Sequence, residues 1–218
     1  MDLEILISYG PALASGFGVT LICWLVGTLG GGLLGAVFAW WTQQAGPFSR
    51  MILCGYTHVT RGTPFLIQLF ILYYVLPYVG ITLSPLVAGL IGMIVYSSPY
   101  YAEVFRAGLQ AIPTGHLDAA QAIGLSKGTT IWRIILPQVW VSTLAPLTGL
   151  TIVLIKETAI LSVITVPELL YEVQGMTAET FQYMEPFSAL ILGYWALSEG
   201  IAWAGRHLET RATRHLPR

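Results

Sequence analysis

Residues 18–41 read GVTLICWLVGTLGGGLLGAVFAWW and contain no charged side chain. About 20 apolar residues, each rising 1.5 Å, are what an α-helix needs to cross the hydrocarbon of a bilayer. The whole chain has the same character. It is 55% hydrophobic and 10% charged, with a mean hydropathy of +0.70. A soluble domain usually carries about a quarter charged residues. The sequence therefore predicts an all-α, polytopic membrane protein.

Four more stretches have the required length and apolarity, near 62–80, 86–105, 139–164 and 186–206. With the first they make five expected transmembrane helices in a single domain, 1–218. Ser97, Ser98 and Pro99 interrupt the third stretch. Pro64 falls in the first turn of the second, where its missing N–H costs nothing. Within the first, Gly27, Gly31 and Gly35 recur every fourth residue, so they share one helix face along which another backbone can approach closely.

Basic residues set the expected orientation. Residues 1–17, 81–85 and 165–185 hold no Lys or Arg. Of the ten basic residues, all except Lys156 fall on the opposite side or at its edge: Arg50, Arg61, Arg106, Lys127, Arg133, Arg206, Arg211, Arg214 and Arg218. The positive-inside rule then places the N-terminus outside and the C-terminus in the cytoplasm. The outer loop 165–185 is acidic, with Glu168, Glu172, Glu179 and Glu185. Such residues can serve a docking partner or simply keep the loop soluble.

Several functions are disfavoured. No Gly-Lys-Ser/Thr follows the glycines, so the chain has no phosphate loop and any ATP must be hydrolysed elsewhere. His58, His116, His207 and His215 are scattered, which argues against a metal site, and no Ser-His pair lies at membrane depth. A net charge of −1 gives no reason to expect nucleic acid. Cys23 and Cys54 read as small buried hydrophobes. Asp2 and Glu4 stand where a secretory signal needs positive charge, so no cleaved leader is expected.

The long polar connection is 106–138, RAGLQAIPTGHLDAAQAIGLSKGTTIWRIILPQ. Pro113, Thr114 and Gly115 break the preceding helix. A short helix is predicted over 116–123, with Asp118 near its positive end and Gly124 turning it off in the left-handed conformation. Ser126 can cap a second helix through Trp132, Ile135 and Leu136, which Pro137 is expected to end. Exposed Leu117 and Ile123, flanking Ala119 and Ala120, would suit a hydrophobic groove on a partner. A helix lying on the membrane surface is the plainer alternative.

Asp118-Ala119-Ala120, three residues, Gly124, nine residues, Ile134, one residue, then Leu136-Pro137 resembles the EAA loop of ATP-binding-cassette (ABC) importer permeases. Asp118 replaces the usual Glu, keeping the charge with a shorter reach. RGTPFLIQLF (61–70), AEVFRAGLQAIPTG (102–115) and LIKETAILSVITVPEL (154–169) resemble the polar-amino-acid members of that family, and the likeness runs from about residue 17 to 205. Gly149 departs from it, standing where Asn is often found.

The resemblance implies a type I ABC importer permease fold in a bacterial inner membrane. It further implies a second permease subunit, identical or not, and two cytoplasmic ATPase subunits holding ATP and Mg. An external amino-acid-binding protein, periplasmic or lipid-anchored, would deliver substrate. No cofactor is expected in this chain. His116, Leu117, Asp118, Ala119, Ala120, Ile123 and Gly124 would form the coupling helix seated on the ATPase.

LIKETAIL (154–161) places Lys156 and Glu157 in the outer half of the fourth span. Lys156 can snorkel, but Glu157 is shorter and must face the protein interior, a wet cavity or a cation. Thr151, Thr158, Ser162 and Thr165 recur beside it at helical spacing. These hydroxyls either bond back to their own backbone or line a pathway. With the resemblance, Glu157 is expected to meet the ammonium group of an amino-acid substrate, cationic side chains being favoured, and Thr158, Ser97, Ser98 and Gln68 are further candidates for the path. Glu103 and Arg106 are expected to pair with each other, Arg61 and His58 to anchor at the inner interface, and Glu199 has no evident partner. Alternatives are a permease for glutamine, glutamate or another small amino-acid-like solute, or a membrane scaffold that transports nothing.

Overall fold

The computed structural model describes residues 3–214. Asp2, His215 and Arg218, which enter the charge pattern, lie outside the described residues. Nine helices follow in order, with no strand among the described residues. They are α1 (Leu3–Ser8), α2 (Gly10–Gln44), α3 (Pro47–Gly62), α4 (Phe65–Val79), α5 (Pro85–Gln110), α6 (Thr114–Ala122), α7 (Lys127–Ile164), α8 (Leu169–Thr180) and α9 (Met184–Thr213).

All five expected stretches fall mainly within helices, α2, α4, α5, α7 and α9. By length and composition, α2 and α7 can cross a membrane, and a third crossing arises if the bent pair α3 and α4 is counted as one. α5 and α9 are long enough, but polar residues such as Ser97 and Ser98 dilute the one and Glu199 and Arg206 the other.

The α2–α5 pair is the spine of the fold. Gly16, Thr20, Cys23, Gly27, Gly31, Gly35 and Ala39 form a buried stripe of small residues along α2. Ile22, Leu25, Leu29, Leu33 and Val37 point outward and are exposed. Large residues thus point away from the bundle and small ones into it, the pattern expected where close backbone packing holds membrane helices together. The Ser97 hydroxyl donates to the Gly27 carbonyl at 3.0 Å across this contact.

At Gly35 an added Cβ would lie 2.8 Å from both the Ser98 carbonyl oxygen and the Ala102 nitrogen, neither of which can move without its helix. Gly35→Ala is therefore expected to lose about 1–3 kcal/mol of stability. At Gly32 nothing lies within 4 Å. Gly32→Ala should be neutral or gain up to about 1 kcal/mol from helix propensity. Melting of the two purified variants in detergent checks the pair, and a Gly35→Ala variant as stable as the parent would contradict the close approach.

Two breaks differ from the expectation. Pro137 does not end a helix, since α7 runs on to Ile164. A π-helical turn over Ile131–Ile135 precedes it and absorbs the clash and missing N–H that a proline brings to a helix interior. α3 was not anticipated. It begins with Gly46 and Pro47 and meets α4 at a bend of 107°, Pro64 standing at the corner.

Candidate functional site

α7 leaves its regular helix at Glu157 and continues as a tight 3-10 helix over Thr158–Ile164. Thr165 then turns the chain with φ 64°. Lys156 is exposed and Glu157 half-buried. Neither takes part in an ion pair among the described residues. Glu157 lies within electrostatic reach of Tyr96 on α5. Tyr96 packs on Phe65 with ring centroids 4.8 Å apart and on Tyr100 at 5.3 Å. An aromatic row therefore runs along α5 with a carboxylate near one end, and the Arg61 guanidinium carbon sits 5.3 Å above the Tyr100 ring at the other. The sequence reading missed Tyr96, although its spacing of four from Tyr100 would have placed both on one face.

Most of the hydroxyl stripe turns inward, while Thr165, at the turn, is exposed. Thr158 is fully buried and donates to the Ile155 carbonyl at 2.7 Å. Ser162 donates to the Ala159 carbonyl at 2.8 Å, and Thr151 bonds Tyr101 at 3.2 Å. Ser97 and Ser98 are buried, Ser98 lying 2.8 Å from the Tyr56 hydroxyl. The Gln68 amide donates to the Thr60 carbonyl at 2.8 Å and to the Thr63 carbonyl at 3.1 Å, satisfying backbone freed at the α3–α4 corner. Of the five residues expected along the path, Glu157 alone has no hydrogen bond or ion pair within the described chain.

A second carboxylate, ranked by the sequence only as part of an acidic loop, is wholly buried. Glu168 caps α8, its Oε1 accepting from the Tyr171 N–H at 2.9 Å. Its Oε2 accepts from the Tyr194 hydroxyl at 2.9 Å and from Thr20 at 3.4 Å. The Tyr194 hydroxyl lies 3.3 Å from Thr158 Oγ1, so α2, α7, α8 and α9 meet at this group. Glu185 is also buried, while Glu179 accepts a bond from Tyr9.

The elbow follows the sequence closely. α6 begins after Pro113 and ends at Gly124, φ 73°, with Gly124 N–H on the Gln121 carbonyl and Leu125 N–H on the Ala120 carbonyl, both at 3.0 Å. Ser126 caps the next helix, accepting from the Thr129 N–H at 3.2 Å. Leu117, expected to be exposed, turns partly inward instead, beside the buried Ala120. Leu117 lines a cavity of about 460 Å³ with Trp40, Phe105 and Ile131. The short helix needs this anchor because its own few hydrogen bonds cannot hold it. His116 donates from Nδ1 to the Gln138 side-chain oxygen at 2.8 Å, tying α6 to α7. Asp118, Ala119 and Ile123 remain exposed, Ile123 by 75%.

Glu103 pairs with Arg106 as expected, Arg106 Nε donating at 3.1 Å. Glu199 has a neighbour after all, Arg206 at 3.9 Å, both exposed. Cys23 is buried, but Cys54, on α3, is exposed, contrary to expectation.

Residues 31–214 match the family described as binding-protein-dependent transport system inner membrane component. The chain is 35% identical over 187 residues to the "Probable amino-acid ABC transporter permease protein YckA" of Bacillus subtilis, covering 86% of this chain and 83% of that one. It is 29% identical over 210 residues to the L-cystine transport system permease protein TcyB of the same organism, covering 96% and 90%. A crystal structure of an amino acid ABC transporter with histidines superposes with a TM-score of 0.89 at 29% identity, covering 97% of this chain and 99% of that chain. The all-helical architecture is thus the type I ABC importer permease fold, and this chain belongs to the family of inner membrane components of binding-protein-dependent transport systems.

Proposed function

We propose that this chain is the membrane-spanning subunit of an ATP-driven importer of a polar amino acid, with arginine, lysine or histidine favoured. The observation that carries the substrate class is Glu157, a half-buried acid with no ion pair, next to an aromatic row. A carboxylate in low dielectric is costly unless a cation visits it, and tyrosine faces add attraction for an ammonium or guanidinium group. In this reading five helices cross the membrane, the N-terminus lies outside and the C-terminus inside, and Glu157 falls in the outer half.

Two separate ATPase subunits, carrying ATP and Mg, push on the exposed Asp118, Ala119 and Ile123 of α6. Because His116 and Leu117 fasten α6 to α7, this push reaches the helix that bears Glu157. A second permease subunit completes the central path, and an external binding protein supplies the amino acid. The chain makes and breaks no covalent bond. It contributes differential affinity for the substrate in outward- and inward-open states.

A second reading is a neutral amino acid of the cystine or glutamine kind. The named specificity of the cystine relative favours it, and Glu157 would then meet the α-ammonium group common to all amino acids. The test is uptake by the complete complex in liposomes, with ATP inside and labelled arginine, lysine, histidine, glutamine or cystine supplied with the binding protein. A cationic amino acid is expected to accumulate with about tenfold preference, equivalent to ~1.4 kcal/mol. Preference for glutamine or cystine would overturn the charge class, and absence of any ATP-dependent uptake would overturn the importer.

A further inference from the structure

A cleft of about 310 Å³ opens between α2, α3 and α5, and nothing in the transport reading uses it. Its polar wall holds Arg50, Arg61, Arg106, His58 and Glu103. Arg106 is matched by Glu103, and Arg61 lies within electrostatic reach of the same carboxylate. One carboxylate against three guanidinium groups leaves a surplus of two positive charges.

The surplus groups retain free donors. Arg50 uses only its Nε, on the Thr42 carbonyl at 3.0 Å near the end of α2. Arg61 lies over Tyr100, its guanidinium carbon 5.3 Å from the ring centroid, and makes no side-chain hydrogen bond among the described residues. Neither makes an ion pair among the described residues. A guanidinium has five donors in a fixed fork suited to phosphate oxygens.

The depth of the cleft identifies the source of that phosphate. Trp40 and Trp41 lie in the last turns of α2 and are exposed by 62% and 49%, as aromatic residues are at the headgroup level. The 107° bend means that if α4 crosses the bilayer, α3 runs along its surface. Phe48, Met51, Ile52 and Val59 of α3 are each more than half exposed, offering apolar surface to acyl chains. A charged mouth with apolar shoulders at this depth suits an amphiphile and gives a free phosphate ion no advantage.

We propose that this cleft binds the headgroup of an anionic phospholipid of the cytoplasmic leaflet, Arg50 and Arg61 holding the phosphate. The site depends on the membrane placement of the fold and not on which solute is carried. Basic pockets between helices at that face are suited to such lipids.

The test is binding to the delipidated complex in neutral detergent, followed by native mass spectrometry. Phosphatidylglycerol and phosphatidylcholine are titrated separately against the parent, against Arg50→Gln, and against Arg50→Gln/Arg61→Gln. The parent should bind phosphatidylglycerol about tenfold more tightly than phosphatidylcholine, and the double variant should show a preference of about twofold or less. Equal binding of the two lipids by the parent overturns the proposal without reliance on any variant. So does an unchanged preference in a double variant that still assembles. Displacement of phosphatidylglycerol by excess inorganic phosphate would mark a free-phosphate site and also overturn it.

Discussion

Glu168→Ala is expected to destabilise the protein by about 3–5 kcal/mol, whereas Glu168→Gln should cost about 1 kcal/mol. The acid is 0% exposed and accepts from donors on three separate elements. Alanine would leave the Thr20 hydroxyl and the Tyr171 N–H without an acceptor in a dry interior, and the Tyr194 hydroxyl with only Thr158 Oγ1, 3.3 Å away. Each unsatisfied donor costs about 1–3 kcal/mol, the lost cap on α8 being the Tyr171 N–H itself, and the weakened Tyr194 bond adds about 1 kcal/mol. Glutamine keeps an oxygen for the Tyr171 N–H, and the Tyr194 hydroxyl can accept from its amide while turning toward Thr158. Thermal melting of the purified complex measures both. If the alanine variant melted like the parent, Glu168 would not be the junction of α2, α8 and α9.

The same pair of proteins gives a pH signature. Glu168 lies in the loop between α7 and α8, and burial pushes its carboxyl above the usual carboxylate range. The backbone N–H groups of Leu170 and Tyr171 and the hydroxyls of Tyr194 and Thr20 pull the other way but do not prevail. The folded state therefore holds the proton more tightly than the unfolded state. Its contribution to stability is complete below the unfolded carboxyl pKa and is lost as pH rises through the folded one. The parent's stability relative to Glu168→Gln should fall with rising pH across that window. Thiols and phenols ordinarily titrate well above the carboxylate range, so Cys23 and Tyr194 do not enter this comparison. A difference independent of pH would mean that Glu168 does not take up a proton on folding.

What the sequence reveals here depends on the range of the interaction. The glycine stripe of α2 is readable because backbone approach requires absent side chains at a fixed period, and Gly27, Gly31 and Gly35 meet that requirement locally. The caps at Gly124 and Ser126 and the Glu103–Arg106 pair are equally local. α3 is less visible, since an amphipathic helix has neither the apolarity of a span nor the turn residues of a loop. Pro137 misleads because a π turn can accommodate it, and such a turn has no strong sequence mark. Glu168 is hidden for another reason: Thr20 lies 148 residues away and Tyr194 26, so only the assembled bundle shows that the acid is internal. The hydroxyl stripe was visible, but its direction was not. Short side chains in a helix choose between their own backbone and a cavity, and here Thr158 and Ser162 choose the backbone.

Glu157 was legible because a carboxylate in an apolar run has few tolerable fates, and that isolation sets the last expectation. Glu157→Gln should reduce kcat/KM for a cationic amino acid by about 10- to 100-fold, as expected from losing a charge-assisted hydrogen bond worth about 1.5–3 kcal/mol. Glutamine fills the same volume, so assembly with the ATPase and basal ATP hydrolysis should persist. The pattern across substrates separates two roles. A carboxylate that reads the side chain loses cationic substrates selectively, shifting preference toward glutamine. One that holds the α-ammonium loses all amino acids alike, and a Glu157→Asp variant would then recover part of the loss for each. Transport and preference both unchanged in Glu157→Gln would leave the acid with no part in recognition. Lipid-facing solvation or a contact in the paired permease would then have to account for a charge at that depth.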